Sequence, residues 1–126
     1  RSIVESLEVP KAVNYLANNP DLLPSQINQL LGNWGPENLV YLLLCIKEEW
    51  LWEKIVYYLD LKDTVKVYAS GNDLKSLGLK QGPLFRIILD YLYDARLNEI
   101  IKGKDEEIAI IKKWLKEGKY NNAIVN

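Results

Sequence analysis

Ser70-Gly71-Asn72-Asp73-Leu74-Lys75-Ser76-Leu77-Gly78-Leu79-Lys80-Gln81-Gly82-Pro83 is the most heavily punctuated run in this 126-residue sequence. Residues 70–73 have the chemistry to cap a helical turn through Leu74 and Leu77, which Gly78 then stops. Gly82-Pro83 opens a longer helix, because proline at a first helical position gives up only an amide that has no intrahelical partner. Ile87, Ile88, Tyr91, Leu92, Ala95 and Leu97 recur at helical spacing and supply its buried side, and residues 98–103 end it. The sequence around this turn is therefore read as helix, turn, helix.

The same grammar runs outward in both directions. Downstream, Asp105, Glu106 and Glu107 mark a helix start, and Lys112, Lys113 and Lys116 fall towards its end before Gly118, matching the helix dipole. Ile108, Ile111 and Leu115 form its apolar face. Upstream, Pro10 is expected in the first turn of a short helix carrying Val13, Leu16 and Ala17, stopped by Asn18-Asn19-Pro20. A second short helix follows Pro24-Ser25 with Ile27, Leu30 and Leu31 on one face, and Gly32-Asn33 offers residues tolerant of a left-handed cap. From Pro36, Leu39, Val40, Leu43, Leu44 and Cys45 make a broad apolar stripe. Glu48-Glu49 marks either a junction or the exposed face of one long helix, and spacing leaves both open. Trp50, Leu51, Ile55, Tyr58 and Leu59 give one more amphipathic helix, ending within 62–67. The alternating run at 64–68 is short and has no evident partner strand. The expected fold is all-α, a compact multi-helix arrangement with a helical part over 1–68 and a second over 69–126 that contains the 71–83 turn.

Composition narrows the chemistry. Histidine is absent and Cys45 is the single cysteine, so zinc, haem and triad sites lack their usual ligands or base. Cys45 lies in the most apolar stretch, where a thiol behaves as a small hydrophobe, and this points to a cytoplasmic home. No apolar run approaches the roughly 20 residues that span a bilayer. The first residues show no signal-peptide pattern, and Arg1 is read as a fragment boundary. Four basic against eight acidic side chains give residues 1–61 a charge of −4, leaving +3 for the rest of a chain whose net charge is −1. An anionic partner would face the second half, although a solvated helical surface gives the same count.

The turn resembles the bacterial tRNA nucleotidyltransferases and related poly(A) polymerases. The residues that carry the resemblance are Gly71, Asp73, Leu74, Leu77, Gly78, Gly82, Pro83, Ile88, Leu89, Ala95, Arg96 and Leu97. Residues 23–31, around Pro24-Ser25 and Ile27, and residues 55–59, with Ile55, Tyr58 and Leu59, resemble two further helices of the family. Gln81 stands where the family commonly has proline, and Asn98-Glu99 where it has a small or acidic residue followed by glycine. The resemblance implies a C-terminal body and tail region that grips tRNA, while a separate N-terminal head, absent here, holds nucleotide and magnesium for transfer to the tRNA 3′ end. The head is expected to carry a paired Asp-x-Asp for two metal ions. This chain has no Asp-x-Asp, and Asp60 and Asp63 read as solvated charges. No catalytic or metal-binding residue is therefore assigned, and the chain alone is expected to be inactive. Whether the parent adds CC, A, CCA or a poly(A) tail is not written in these residues.

The residues expected to meet RNA are Lys75, Lys80, Arg86, Lys102 and Lys104, together with the backbone amides of Leu84 and Phe85 at a helix start that suits a phosphate oxygen; Arg96, preceded by Asp94 and near Asn98, either joins them or pairs internally. Gly71, Asp73, Gly78, Gly82 and Pro83 are expected to shape the turn, with Asp73 in a helix-capping role. Trp50, Trp52, Tyr57 and Tyr58 read as packing residues, with one buried and one partly exposed face, in preference to base-stacking residues, because Glu48, Glu49 and Glu53 would repel a phosphate backbone; Trp52 and Trp34 are candidates for contact with the missing domains. Two other functions fit the same residues: a helical protein-interaction or oligomerisation module, using the acidic first half and its tryptophans, and a helix-hairpin-helix clamp on duplex DNA, which normally has a shorter turn.

Overall fold

A computed structural model describes residues 2–117, with side chains from residue 8 onward; Gly118 lies outside the described residues. Seven helices and no strand occur among them. The chain divides into two compact units, Arg1–Thr64 and Val65–Asn126. The charge asymmetry follows that division: residues 62–64 contribute one lysine and one aspartate, so the first unit keeps −4 and the second +3.

The first unit contains α1 (Ser2–Ala17), α2 (Pro24–Leu31), α3 (Pro36–Cys45) and α4 (Glu49–Thr64). Pro10 lies inside α1 and does not open it. Without an amide hydrogen it leaves the preceding turn one bond short, and its ring crowds that turn, a cost that packing of Val9, Ala12 and Leu16 offsets. Glu48-Glu49 proves to be a junction, since α3 ends at Cys45 and α4 begins at Glu49. Gly32 caps α2 in right-handed geometry, φ −61°, so the expected left-handed cap is corrected. A side chain there would meet the Asn28 carbonyl oxygen at 2.4 Å, which is the reason for glycine. Leu16, Ile27, Leu31, Leu42, Leu51, Ile55 and Tyr58 form the buried centre, with Cys45 half-buried beside them. Polar contacts tie α4 to α2 and its flanks: the Tyr58 hydroxyl meets Asn28 Oδ1 at 2.5 Å, Lys62 Nζ donates to the Gly32 carbonyl at 2.8 Å, and Lys54 Nζ donates to the Pro20 carbonyl. Among the aromatics of α4 Tyr58 is buried and Trp52 and Tyr57 are exposed; Trp50, expected on the buried face, is exposed as well.

The second unit contains α5 (Gly71–Ser76), α6 (Pro83–Leu97) and α7 (Lys104–Lys116). Leu74, Leu79, Phe85, Ile88, Leu92, Ala95, Ile101, Ile111 and Trp114 make its core. Each fully buried side chain of this size contributes about 1.5–3 kcal/mol relative to exposure. The stripe on α6 runs through Phe85, Ile88, Leu92 and Ala95, so Ile87 and Tyr91, expected inside, are exposed. They sit about 100° off that stripe, the rotation of a single helical residue. No helix among the described residues is long and apolar enough to cross a membrane.

Candidate nucleic-acid interface

The 71–83 turn is built from two interlocking caps. At the start of α5 the Ser70 amide donates to Asp73 Oδ2 at 2.8 Å, and the Asp73 amide donates to Ser70 Oγ at 3.4 Å, a reciprocal capping box. Asp73 also meets Lys104 Nζ at 3.3 Å, linking α5 to the first residue of α7. The Ser70 amide first, opposed by desolvation and then helped by the Ser70 hydroxyl and Lys104, holds the Asp73 carboxyl below its ordinary pKa. At the other end the Gly78 amide donates to the Lys75 carbonyl at 2.9 Å and the Leu79 amide to the Leu74 carbonyl at 3.1 Å. With Gly78 at φ +93°, this is a complete Schellman stop, and its apolar pair, Leu74 and Leu79, is buried.

The three glycines of the turn thus have different physical roles. Gly78 occupies the left-handed region and needs to be glycine. Gly71 has room for a side chain at ordinary contact distance from Phe85, 3.6 Å. Gly82 is extended, φ 165° and ψ −166°, with open space around its α-carbon, so neither strain nor crowding requires glycine there.

The basic residues separate as clearly. Lys75, Lys80, Arg86, Lys102 and Lys104 are exposed. Arg86 Nε meets Asp90 Oδ2 at 3.4 Å, an exposed i,i+4 pair that contributes little to stability and leaves the guanidinium accessible. The Phe85 side chain is buried in the core, and its amide turns back on the Gly82 carbonyl at 3.0 Å, so it is not the open donor expected for a phosphate. Leu84 packs its side chain against the same core.

Arg96 is the larger correction. Only 9% exposed, it pairs through Nε with Glu107 Oε2 at 2.7 Å and through Nη1 with the Lys102 carbonyl at 3.0 Å. Its guanidinium lies over the Tyr68 ring, 5.1 Å from the centroid. Glu107, 0% exposed, also accepts the amides of Tyr68 at 3.1 Å and Ala69 at 2.7 Å. Arg96 therefore fastens the 65–70 segment, α6 and α7 together and is not an outward RNA contact. Glu107 is the residue that sequence reading missed. Its signal was its register, since Glu107, Ile111 and Trp114 share the i, i+4, i+7 stripe that α7 buries.

Desolvation, and after it the neighbouring Asp90 charge, raises the Asp94 carboxyl above its ordinary pKa, and desolvation followed by Asp94 raises Tyr93. Asp90 and Asp94 lie on α6 beyond the turn and make that stretch locally acidic.

Neither a family model nor a solved structure matches this chain. Over 94 residues, 75% of the chain, it is 31% identical to the A-adding tRNA nucleotidyltransferase of Geobacter sulfurreducens. The chain spans only 11% of that relative's length.

Proposed function

Since this chain carries a region related to the tRNA nucleotidyltransferases, we propose that it is an RNA-binding, non-catalytic region of such a protein, with tRNA as its partner. The kinship over three-quarters of the chain carries this reading. The +3 charge of the second unit and the exposed Lys75, Lys80, Arg86, Lys102 and Lys104 support it, because phosphate contacts supply most of the affinity of such surfaces. Selectivity would come from the shape of a folded RNA and not from base edges. The start of α6, where the Leu84 amide sits at the positive end of the helix dipole between Lys80 and Arg86, is the proposed phosphate position.

Nucleotide transfer and its magnesium ions belong, in this reading, to a head domain outside these residues. No step of the transfer is assigned to this chain in this reading. In the same reading the chain works in the cytoplasm, a reducing compartment that suits a lone thiol such as the half-buried Cys45.

Competition between tRNA and duplex DNA for the chain tests the assignment. Preference for tRNA supports it, and preference for duplex DNA supports a helix-hairpin-helix clamp. One observation favours a second reading, a protein-interaction surface: Val40, Tyr41 and Leu44 project from one side of α3 and are exposed. Binding to neither nucleic acid would select it.

A further inference from the structure

Tyr68 lies in the irregular segment before α5, is 57% exposed, and is nevertheless fixed in place. Its backbone amide donates to both carboxylate oxygens of Glu107 at 3.1 Å, and the following amide, of Ala69, donates to the same carboxylate at 2.7 Å. The Arg96 guanidinium covers its ring at 5.1 Å. Arg96 is immobilised by Glu107 and the Lys102 carbonyl, and its remaining terminal nitrogen, Nη2, is buried with no hydrogen-bond partner. The guanidinium and the ring make a cation–π contact, which the planar, delocalised charge of arginine favours. The tyrosine is thus backed by a cation and anchored by its main chain, while more than half of its surface faces solvent.

We propose that Tyr68 is a stacking platform for an unpaired nucleobase, an assignment that rests on the RNA-binding reading of this region. Every base presents a π face, and a ring whose orientation is already fixed loses little freedom when a base settles on it. The cation behind the ring draws electron density away from the open face, which favours an electron-rich purine. The setting also suits a nucleic-acid backbone. Lys66 lies two residues before Tyr68, Lys102 is exposed and lends its carbonyl to Arg96, and the Glu107 charge is matched by Arg96. Glu106 turns one carboxylate oxygen onto the Lys102 amide at 2.8 Å. Trp50 and Trp52, also exposed, stand among Glu48, Glu49 and Glu53 and lack this setting.

The test titrates the full chain with tRNA and with a short single-stranded oligoadenylate, comparing the unaltered protein with Tyr68→Ala, Tyr68→Leu and Tyr68→Phe. Stacking of one base is worth roughly fivefold or more in affinity. Tyr68→Ala and Tyr68→Leu, the latter keeping an apolar cover over Arg96, should weaken both ligands by at least about fivefold, with Tyr68→Phe within about twofold of the unaltered protein. Far-ultraviolet circular dichroism should not change, and abasic sites in the oligonucleotide should erase the difference between Tyr68 and Leu. Equal affinities of the unaltered protein and Tyr68→Leu, with a joint Lys80→Ala and Arg86→Ala change still weakening tRNA, overturn the platform and leave the RNA-binding reading standing. Absence of tRNA binding by the unaltered protein overturns both.

Discussion

Replacing Glu107 by alanine should cost the second unit most of its stability. The carboxylate is fully buried and satisfies three donors: Arg96 Nε at 2.7 Å, the Ala69 amide at 2.7 Å and the Tyr68 amide at 3.1 Å. Its removal leaves an arginine that is 9% exposed with no counter-charge. Breaking one side of a buried ion pair costs about 3–5 kcal/mol. The orphaned amide of the buried Ala69 adds to the same loss, because an unsatisfied donor costs about 1–3 kcal/mol and these terms overlap. Native domains hold only about 5–15 kcal/mol in total. The melting temperature should therefore fall by more than about 10 °C. Arg96→Met should cost a similar amount by leaving the carboxylate buried alone. Arg96→Met with Glu107→Leu should cost less than the two single changes combined, since apolar residues can take the place of a buried pair. Urea unfolding followed by circular dichroism measures all three variants. A loss below about 1 kcal/mol for Glu107→Ala, or strict additivity in the double variant, would refute the claim that this pair fastens the unit.

Three smaller changes test the helix ends and the titrating groups. Gly78→Ala should destabilise by about 1 kcal/mol, because alanine pays the left-handed penalty, whereas Gly82→Ala should be close to neutral; thermal melts compare them. Glu99 holds φ 61° at the end of α6, with the Ile100 amide bonded to the Ala95 carbonyl at 2.9 Å, so Glu99→Gly should stabilise by about 1 kcal/mol. Asp94 has a raised carboxyl pKa in the folded state, so its ionisation opposes folding at neutral pH. Asp94→Asn should raise the melting temperature at pH 7, and the gain should shrink as pH falls below the folded pKa and then the ordinary value of 3.8; a gain constant across that range would contradict the assignment.

Much of this architecture was legible because helix punctuation is local. Ser70, Gly78, Gly82-Pro83 and the charges of α7 announce their ends within a few residues, and the structure puts α5, α6 and α7 where those signals place them. Pro10 misled because a proline inside a helix and one at its start look alike until the packing of Val9, Ala12 and Leu16 is known. Ile87 and Tyr91 misled because each stands one residue before a buried one, Ile88 and Leu92, and composition does not say which of two adjacent apolar residues faces the core. The Arg96–Glu107 pair was invisible for a different reason. Its partners are eleven residues apart on separate helices, and Glu107 had a sufficient local explanation as a charge at a helix start. Glu99 shows the converse: the departure from the glycine of the resembling family lies on a residue that still adopts the left-handed conformation.

The affinity of the chain for tRNA across a salt series, with and without the joint Lys80→Ala and Arg86→Ala change, bears most directly on the proposed role. The account predicts binding that weakens as salt rises, and a double variant that binds less tightly with a salt slope shallower by about 2, at unchanged helicity. No binding of tRNA at low salt would contradict it. Loss of binding and helicity in equal measure would return the 71–83 turn to a purely structural role.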